Sequence, residues 1–256
     1  MKIVVVGGTG LIGSRLIAKL RKLGHDAVSA SPSSGVDTVT GEGVAEALRG
    51  ARVVVDVSNS PSLEEEAALA FFRASGRNLL AATEAAGVRH HLALSIMGTD
   101  RLPESGYFRA KMAQENLIRA SNVPHTILRS APFFEYLDGI VEAGAESGVL
   151  RVSPAYLSPI AAEDVVEALR DAVLGHPLSR ALEVVGPERF RLSEIAGQIL
   201  AANEDPRVVV ADSEAPYFGA VLKDDTLIPH DHPRYGTMRF GDWLRSYISQ
   251  ALEPSF

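Results

Sequence analysis

The chain has 256 residues, 46% of them hydrophobic and 22% charged, a composition that allows one large α/β core. A formal net charge of −7 leaves no concentrated basic face for nucleic acid, and the absence of cysteine excludes disulfides, thiolate metal ligands and cysteine nucleophiles. The apolar start is broken at Gly7 and Gly8 and no apolar run reaches membrane-spanning length, so a cytoplasmic protein without signal peptide or membrane segment is expected.

Met1 to Val6 reads as a short buried strand that runs straight into Gly7-Gly8-Thr9-Gly10-Leu11-Ile12-Gly13. Leu16, Ile17 and Leu20 then recur at helical spacing, and Gly24 ends the pattern. A strand, a glycine turn and a helix in this order suit a dinucleotide. Bare backbone at Gly7 and Gly10 can approach a pyrophosphate, the positive helix N-terminus points at the same place, and Gly13 permits close packing of helix on strand. Thr9, Leu11 and Ile12 complete the expected cradle. The spacing is G-x-x-G-x-x-G, not the standard G-x-G-x-x-G.

The second strand, His25 to Ala30, ends without the Asp or Glu that would accept hydrogen bonds from both ribose hydroxyls of NAD. It offers Ser29, Ser31, Ser33 and Ser34 instead, with Arg15 in the first helix as a candidate counter-charge. That favours NADP over NAD, although a solvated serine turn fits the same residues. A short strand is expected at 36–39 and a buried one at 51–57, with Ser58-Asn59-Ser60-Pro61 lying over the ribose or adenine side of the ligand. Ser62 and Glu65 form a capping-box pattern that starts a helix at Leu63, with a joint at Gly76 and a second helical stretch from Asn78 to Ala86.

Leu92 to Met97 is a further buried strand, and the helix after it opens with Tyr107-Phe108-Arg109-Ala110-Lys111. Tyr107 and Lys111 are four apart and share a helix face. A phenol beside an ammonium group ionises more readily and can pass a proton at neutral pH, while Ser95 at its strand's carboxyl end can hydrogen-bond a substrate oxygen. A packed ring with a snorkelling lysine is the plainer account of the same pair.

Together the glycine turn, Ser95, Tyr107-x-x-x-Lys111 and the stretch Ser158 to Val165 resemble the short-chain dehydrogenase/reductase superfamily, specifically its atypical NmrA-like branch. The resemblance implies a Rossmann-type doubly wound parallel sheet, with residues 1–150 as the NAD(P)-binding domain. Residues 151–256 would form a small C-terminal substrate or lid region that contributes in part to the same sheet. It implies that Tyr107 is the general acid or base, that Lys111 binds the nicotinamide ribose and lowers the Tyr107 pKa, and that Ser95 polarises a carbonyl. The reaction would then be hydride transfer between NADP and a small carbonyl or alcohol compound, by a monomer or homodimer. The branch also includes NADP-binding redox sensors without turnover. The family's N-N-A-G turn is replaced here by Ser58-Asn59-Ser60-Pro61.

Strands are further expected at His125 to Arg129, Leu182 to Val185 and Arg207 to Ala211, and a helix at Leu192 to Ala201. Phe133, Phe134 and Tyr136 are candidates for a substrate wall or for core packing. The tail from Ser213, with Pro216-Tyr217-Phe218, is read as a lid, and Phe240 to Leu244 as the opening of a last helix. His230-Asp231-His232 lies between prolines without a third ligand at helical spacing, so no metal site is expected.

Overall fold

The computed structural model describes residues 1–146, 148–230 and 232–252. The first half comprises β1 (Lys2–Val6), α1 (Leu11–Lys22), β2 (Asp26–Ala30), α2 (Val44–Ala47), β3 (Val53–Asp56), α3 (Glu65–Ala85), β4 (His90–Ile96), α4 (Gly106–Ala120) and β5 (His125–Ser130). Then come α5 (Leu137–Glu142), β6 (Ala145–Glu146), β7 (Val149–Val152), β8 (Tyr156–Leu157), α6 (Ala162–Leu174) and β9 (Ala181–Val185). The chain continues with β10 (Phe190–Arg191), α7 (Leu192–Ala202), β11 (Val208–Ala211), β12 (Pro216–Tyr217), β13 (Ala220–Val221), β14 (Arg234–Tyr235) and α8 (Phe240–Leu252).

Among the described residues the main sheet has seven strands in the order β14-β9-β5-β4-β3-β1-β2, all parallel. The chain steps from β1 to β2 on one side and returns to β3 on the other. This doubly wound order puts a crevice at the carboxyl ends of β1 and β3, where such sheets bind ligands. The β1 and β3 side chains are buried on both faces, as a covered parallel sheet requires. Helix α1 turns Ile12, Leu16, Ile17 and Leu20 inward and shares one core with Val165, Val166, Leu169 and Val173 of α6. On the opposite face α3 and α4 contribute Leu79, Leu80 and Ile118. A separate core gathers α5, α7, α8 and the short strands around Phe134, Leu137, Ile195, Ile199 and Phe240, and it extends to Phe72, Tyr107 and Phe108. The Asp164 carboxylate, in the first turn of α6, accepts the N–H groups of Thr237 (3.0 Å) and Met238 (2.9 Å) and so ties down the chain before α8.

Two sequence expectations are corrected. Residues 36–39 form no strand and lead into a turn at Thr38 to Thr40, because the Asp37 carboxylate accepts the N–H groups of Val39 and Thr40, and Asn78 Nδ2 donates to the Thr38 and Val39 carbonyls. Gly76 is no joint: α3 runs unbroken, and the glycine instead lets α4 approach, since a Cβ there would stand 3.1 Å from Leu117 Cδ1.

His90 and His91 point to opposite sides of β4 and both are buried. His90 Nε2 meets Thr126 Oγ1 at 2.9 Å, whereas neither ring nitrogen of His91 has a partner among the described residues. Burial pushes both imidazoles down from 6.5 to about 4; for His91 the nearby Asp56 opposes the shift. The unfolded chain therefore binds protons more readily than the folded one between pH 6.5 and 4. This contribution to stability is complete above pH 6.5 and is lost as the pH falls towards 4, at about 1.4 kcal/mol per pH unit for each imidazole. Urea unfolding at pH 7.5, 6 and 5 should give falling stability, and His91→Leu should remove close to half of that slope. An unchanged slope in His91→Leu would assign the acid sensitivity elsewhere.

Candidate active site

A cleft of about 1250 Å³ follows the carboxyl ends of β1, β2, β3 and β4. At its floor Gly7 has φ +77°, and a Cβ on it would lie 2.9 Å from Ser58 N, so only glycine lets the turn pass beneath the loop after β3. A Cβ on Gly13 would overlap the Gly7 carbonyl. Gly10 is different: its Cβ would meet only Gly7 O, at 3.4 Å, an ordinary contact. It is the N-cap of α1 and offers no side chain to the first-turn N–H groups. Thr9, Leu11 and Ile12 line the cleft beside it. A glycine cradle below an uncapped helix N-terminus fits the pyrophosphate of a dinucleotide.

On the adenosine side, Ser31 lines the cleft with Thr38 and Val39. Its hydroxyl lies 3.0 Å from that of Ser33, and the Ser34 hydroxyl donates to Ser31 O at 2.9 Å. Ser29 and Arg15 do not line the cleft. The Ser29 hydroxyl is buried beneath Gly8 without a partner among the described residues, and the Arg15 guanidinium leans towards Glu135, 3.8 Å away, instead of the serine turn. Ser58 and Asn59, expected over the ribose or adenine side, also line the cleft.

The structure separates the expected trio of Ser95, Tyr107 and Lys111. All three line the cleft and are almost fully buried. The Tyr107 hydroxyl donates to Asn59 Oδ1 at 2.7 Å. Lys111 Nζ donates to Leu94 O at 3.0 Å and to Gln114 Oε1 at 2.6 Å, and lies 4.6 Å above the Phe72 ring. The expectation that the ammonium lowers the phenol's pKa is therefore corrected. Burial holds Tyr107 above its ordinary value of 10.0, and the bond to Asn59 offsets only part of that. Burial also lowers Lys111 to about 8, against the opposing pull of Asp56 and Glu115. Ser95 donates to Glu115 Oε1 at 2.6 Å, and Glu115 in turn is held by Arg129 through Nε at 2.9 Å and Nη2 at 2.8 Å. That hydroxyl is committed to a buried ion pair.

Beyond Tyr107 the cleft is aromatic. Phe133 and Tyr136 line it and stack at 5.6 Å. Phe134 is corrected to a core residue: it turns away to pack on Phe240 at 5.3 Å and Trp243 at 5.4 Å. The β12–β13 hairpin brings Phe218 onto Tyr107, with ring centroids 5.5 Å apart and planes 22° from parallel. Phe218 holds φ +49°, and its carbonyl accepts the Ser105 hydroxyl at 2.6 Å. Ser105 is also the N-cap of α4, accepting from Phe108 N. The hairpin and the helix bearing Tyr107 are thus fastened at one residue.

Sequence reasoning passed over Asp56 and Gln114. The Asp56 carboxylate accepts Ser58 N at 3.0 Å and Ser58 Oγ at 2.6 Å with one oxygen, and Gln114 Nε2 at 2.9 Å with the other. The available signal was an acid inside the apolar run Val53-Val54-Val55-Asp56-Val57. Of the triplet His230-Asp231-His232, Asp231 lies outside the described residues. Among the described residues no group of three or more His, Asp or Glu side chains could hold a metal ion.

A sequence model of the NAD(P)H-binding family matches residues 7–169. The chain belongs to this NAD(P)H-binding family. The matched span holds the glycine turn, Asp56, Tyr107 and Lys111. A curated relative, the photosystem II assembly factor Ycf39 of Synechocystis, is 26% identical over 153 residues; the match covers 54% of this chain and 47% of that protein. The chain thus spans about half the length of the curated relative it matches. Among solved structures, a short-chain dehydrogenase/reductase superfamily protein of Agrobacterium tumefaciens with bound NAD aligns over 98% of this chain and 97% of its own, with TM-score 0.74 and 17% identity. An NADPH-dependent quinone oxidoreductase of Escherichia coli aligns over 96% of this chain and 99% of its own, with TM-score 0.69 and 19% identity. At these identities the likeness shows the fold alone, a parallel α/β sheet flanked by helices. No helix among the described residues is long and apolar enough to cross a membrane.

The two glycines of the NAD(P)H-binding turn should respond differently to a methyl group. Gly13→Ala forces the Gly7 carbonyl aside and should lower stability by about 1–3 kcal/mol in urea unfolding. Gly10→Ala should unfold at the wild-type midpoint yet bind NADPH more weakly by fluorescence titration. Equal stability losses in the two variants would remove the distinction drawn from the cradle's geometry.

Proposed function

We propose that the protein reduces an apolar, aromatic-sized carbonyl compound with NADPH, Tyr107 giving the proton. One observation carries this reading: a single cleft joins the glycine cradle to Tyr107 and continues between the rings of Phe71, Phe133, Tyr136 and Phe218. The volume exceeds what one small ligand needs and leaves room for an acceptor beside a dinucleotide. The rings offer π-faces and few hydrogen-bonding groups, which disfavours a sugar.

Bound NADPH would supply the hydride to the carbonyl carbon. The chain's own task is the proton on the oxygen, and a phenol held above its ordinary pKa stays protonated at neutral pH. Protonated, Tyr107 can serve as the acid in the reducing direction once its hydroxyl leaves Asn59 to meet the substrate oxygen, because hydride addition makes that oxygen a far stronger base than a phenolate. The products are the alcohol and NADP. Lys111, Ser58 and Asn59 are the residues assigned to the nicotinamide ribose. NADP is favoured over NAD by the missing acid at the end of β2; with Arg15 drawn to Glu135, the hydroxyls and N–H groups of the serine turn would receive the extra phosphate.

A second reading has its own support. The Tyr107–Asn59 and Lys111–Gln114 bonds leave the phenol and the ammonium without a direct bond to each other, and the curated relative is an assembly factor. A regulator that binds NADP without turnover fits both observations. Single-turnover oxidation of NADPH, followed at the nicotinamide absorbance across a panel of carbonyls and quinones, separates the two. Under the reductase reading Tyr107→Phe keeps NADPH affinity and loses about two to four orders of magnitude in rate. A wild type that binds NADPH and reduces nothing in the panel favours the regulator, and a Tyr107→Phe protein with full rate takes the phenol out of the chemistry.

A further inference from the structure

We propose that Asp56 is a positioning residue for both Lys111 and Tyr107: through Gln114 it holds the ammonium, and through Ser58 it holds the loop whose Asn59 carries the phenol. The inference rests on the reading that Lys111 meets the dinucleotide. One buried carboxylate then places the cation and the hydroxyl together.

Asp56 is only 3% exposed, at the last position of a strand whose other members are valines. Burying a carboxylate there costs stability unless its oxygens are satisfied, and an apolar side chain could fill the site without that cost. Both oxygens are indeed satisfied, but by neutral donors: Ser58 N and Oγ on one, Gln114 Nε2 on the other. Gln114 is bonded at both ends, since its Oε1 accepts Lys111 Nζ. A glutamine fits this place because it accepts from the ammonium with one atom while donating to the carboxylate with the other. The continuous path runs from Leu94 O to Lys111, Gln114, Asp56 and Ser58. The next residue, Asn59, takes the Tyr107 hydroxyl.

The groups facing Lys111 come from every neighbouring element. Asp56 approaches from β3, the Phe72 ring from α3, the Leu94 carbonyl from β4, and Gln114 and Glu115 from α4 itself. His91 on β4 feels the same Asp56 charge. Glu115 is already shared between Arg129 of β5, at 2.8 Å, and Arg119, at 2.8 Å. Asp56 is thus the facing carboxylate whose charge is not consumed by arginine, and it keeps the buried ammonium protonated near neutrality.

The chain has five lysines, so isotope-labelled lysine NMR of the cofactor-free protein resolves Lys111, assigned by its loss in Lys111→Met. Its midpoint near pH 8 should fall by about one pH unit in Asp56→Asn. Gln114→Met keeps the length of the side chain and removes both hydrogen bonds; it should lower the midpoint in the same direction even if Asp56→Asn folds poorly. NADPH affinity should decline as pH rises through 8 in the wild type and at lower pH in each variant. A purely structural role would reduce urea stability and leave the Lys111 midpoint in place, and that result overturns the proposal. Midpoints that shift while NADPH affinity stays flat with pH would sustain the Asp56 link and overturn the assignment of Lys111 to the dinucleotide.

Discussion

Gly13 sits against the Gly7 carbonyl, and that backbone contact sets how closely α1 lies on β1. It admits no Cβ, so any side chain at this position would push the helix away from the turn. With α1 at this distance, Leu16 and Leu20 reach full burial against the sheet, and the first-turn N–H groups come to the carboxyl end of β1. Gly7 makes the same demand on its other side, where its missing side chain lets the Val57–Ser58 backbone pass. The glycine turn and the loop carrying Asn59 are therefore parts of one backbone arrangement, and Tyr107 is referenced to it through the Asn59 amide.

Glycine positions were legible in the sequence because their requirement is local: a turn, a positive φ or a helix N-terminus within a few residues of each other. The buried strands were legible for a similar reason, since β1, β3, β4 and β5 are short apolar runs. What was not legible depends on partners distant in the chain. Valines at 36 and 39 look like a strand until Asn78, about forty residues on, takes the Thr38 and Val39 carbonyls. Gly76 looks like a joint unless Leu117 is known to press on it. Phe133 and Phe134 are indistinguishable as letters, yet one faces the cleft and the other packs on Phe240 and Trp243.

The same limit explains the largest correction. Tyr107 and Lys111 do share a face of α4, as four-residue spacing dictates. Spacing cannot tell that the loop after β3 offers the phenol an amide or that Gln114, one turn further along, offers the ammonium a carbonyl. Each contact is worth only on the order of 1 kcal/mol net. Both groups are buried, however, and leaving either without a partner would cost more than that, so the nearest available acceptor decides where each side chain points.

The two halves of the cleft are consequently built by different physics. The glycine half is backbone: glycines, a helix terminus and a loop pinned by a buried carboxylate, all within residues that the strands hold in register. The aromatic half is made of side chains from segments far apart in the chain, with Phe71 on α3, Phe133 and Tyr136 after β5, and Phe218 on the β12–β13 hairpin. Phe218 occupies a left-handed conformation that costs a bulky residue about 1–3 kcal/mol, and it is kept there by the Ser105 bond and by stacking on Tyr107. A strained residue held by a few side-chain contacts can exchange them for contacts with a ligand, whereas the Gly7–Gly13 contact has nothing to exchange. The shape of the aromatic end is therefore set by side-chain packing that can rearrange, whereas the glycine end is fixed by backbone contact.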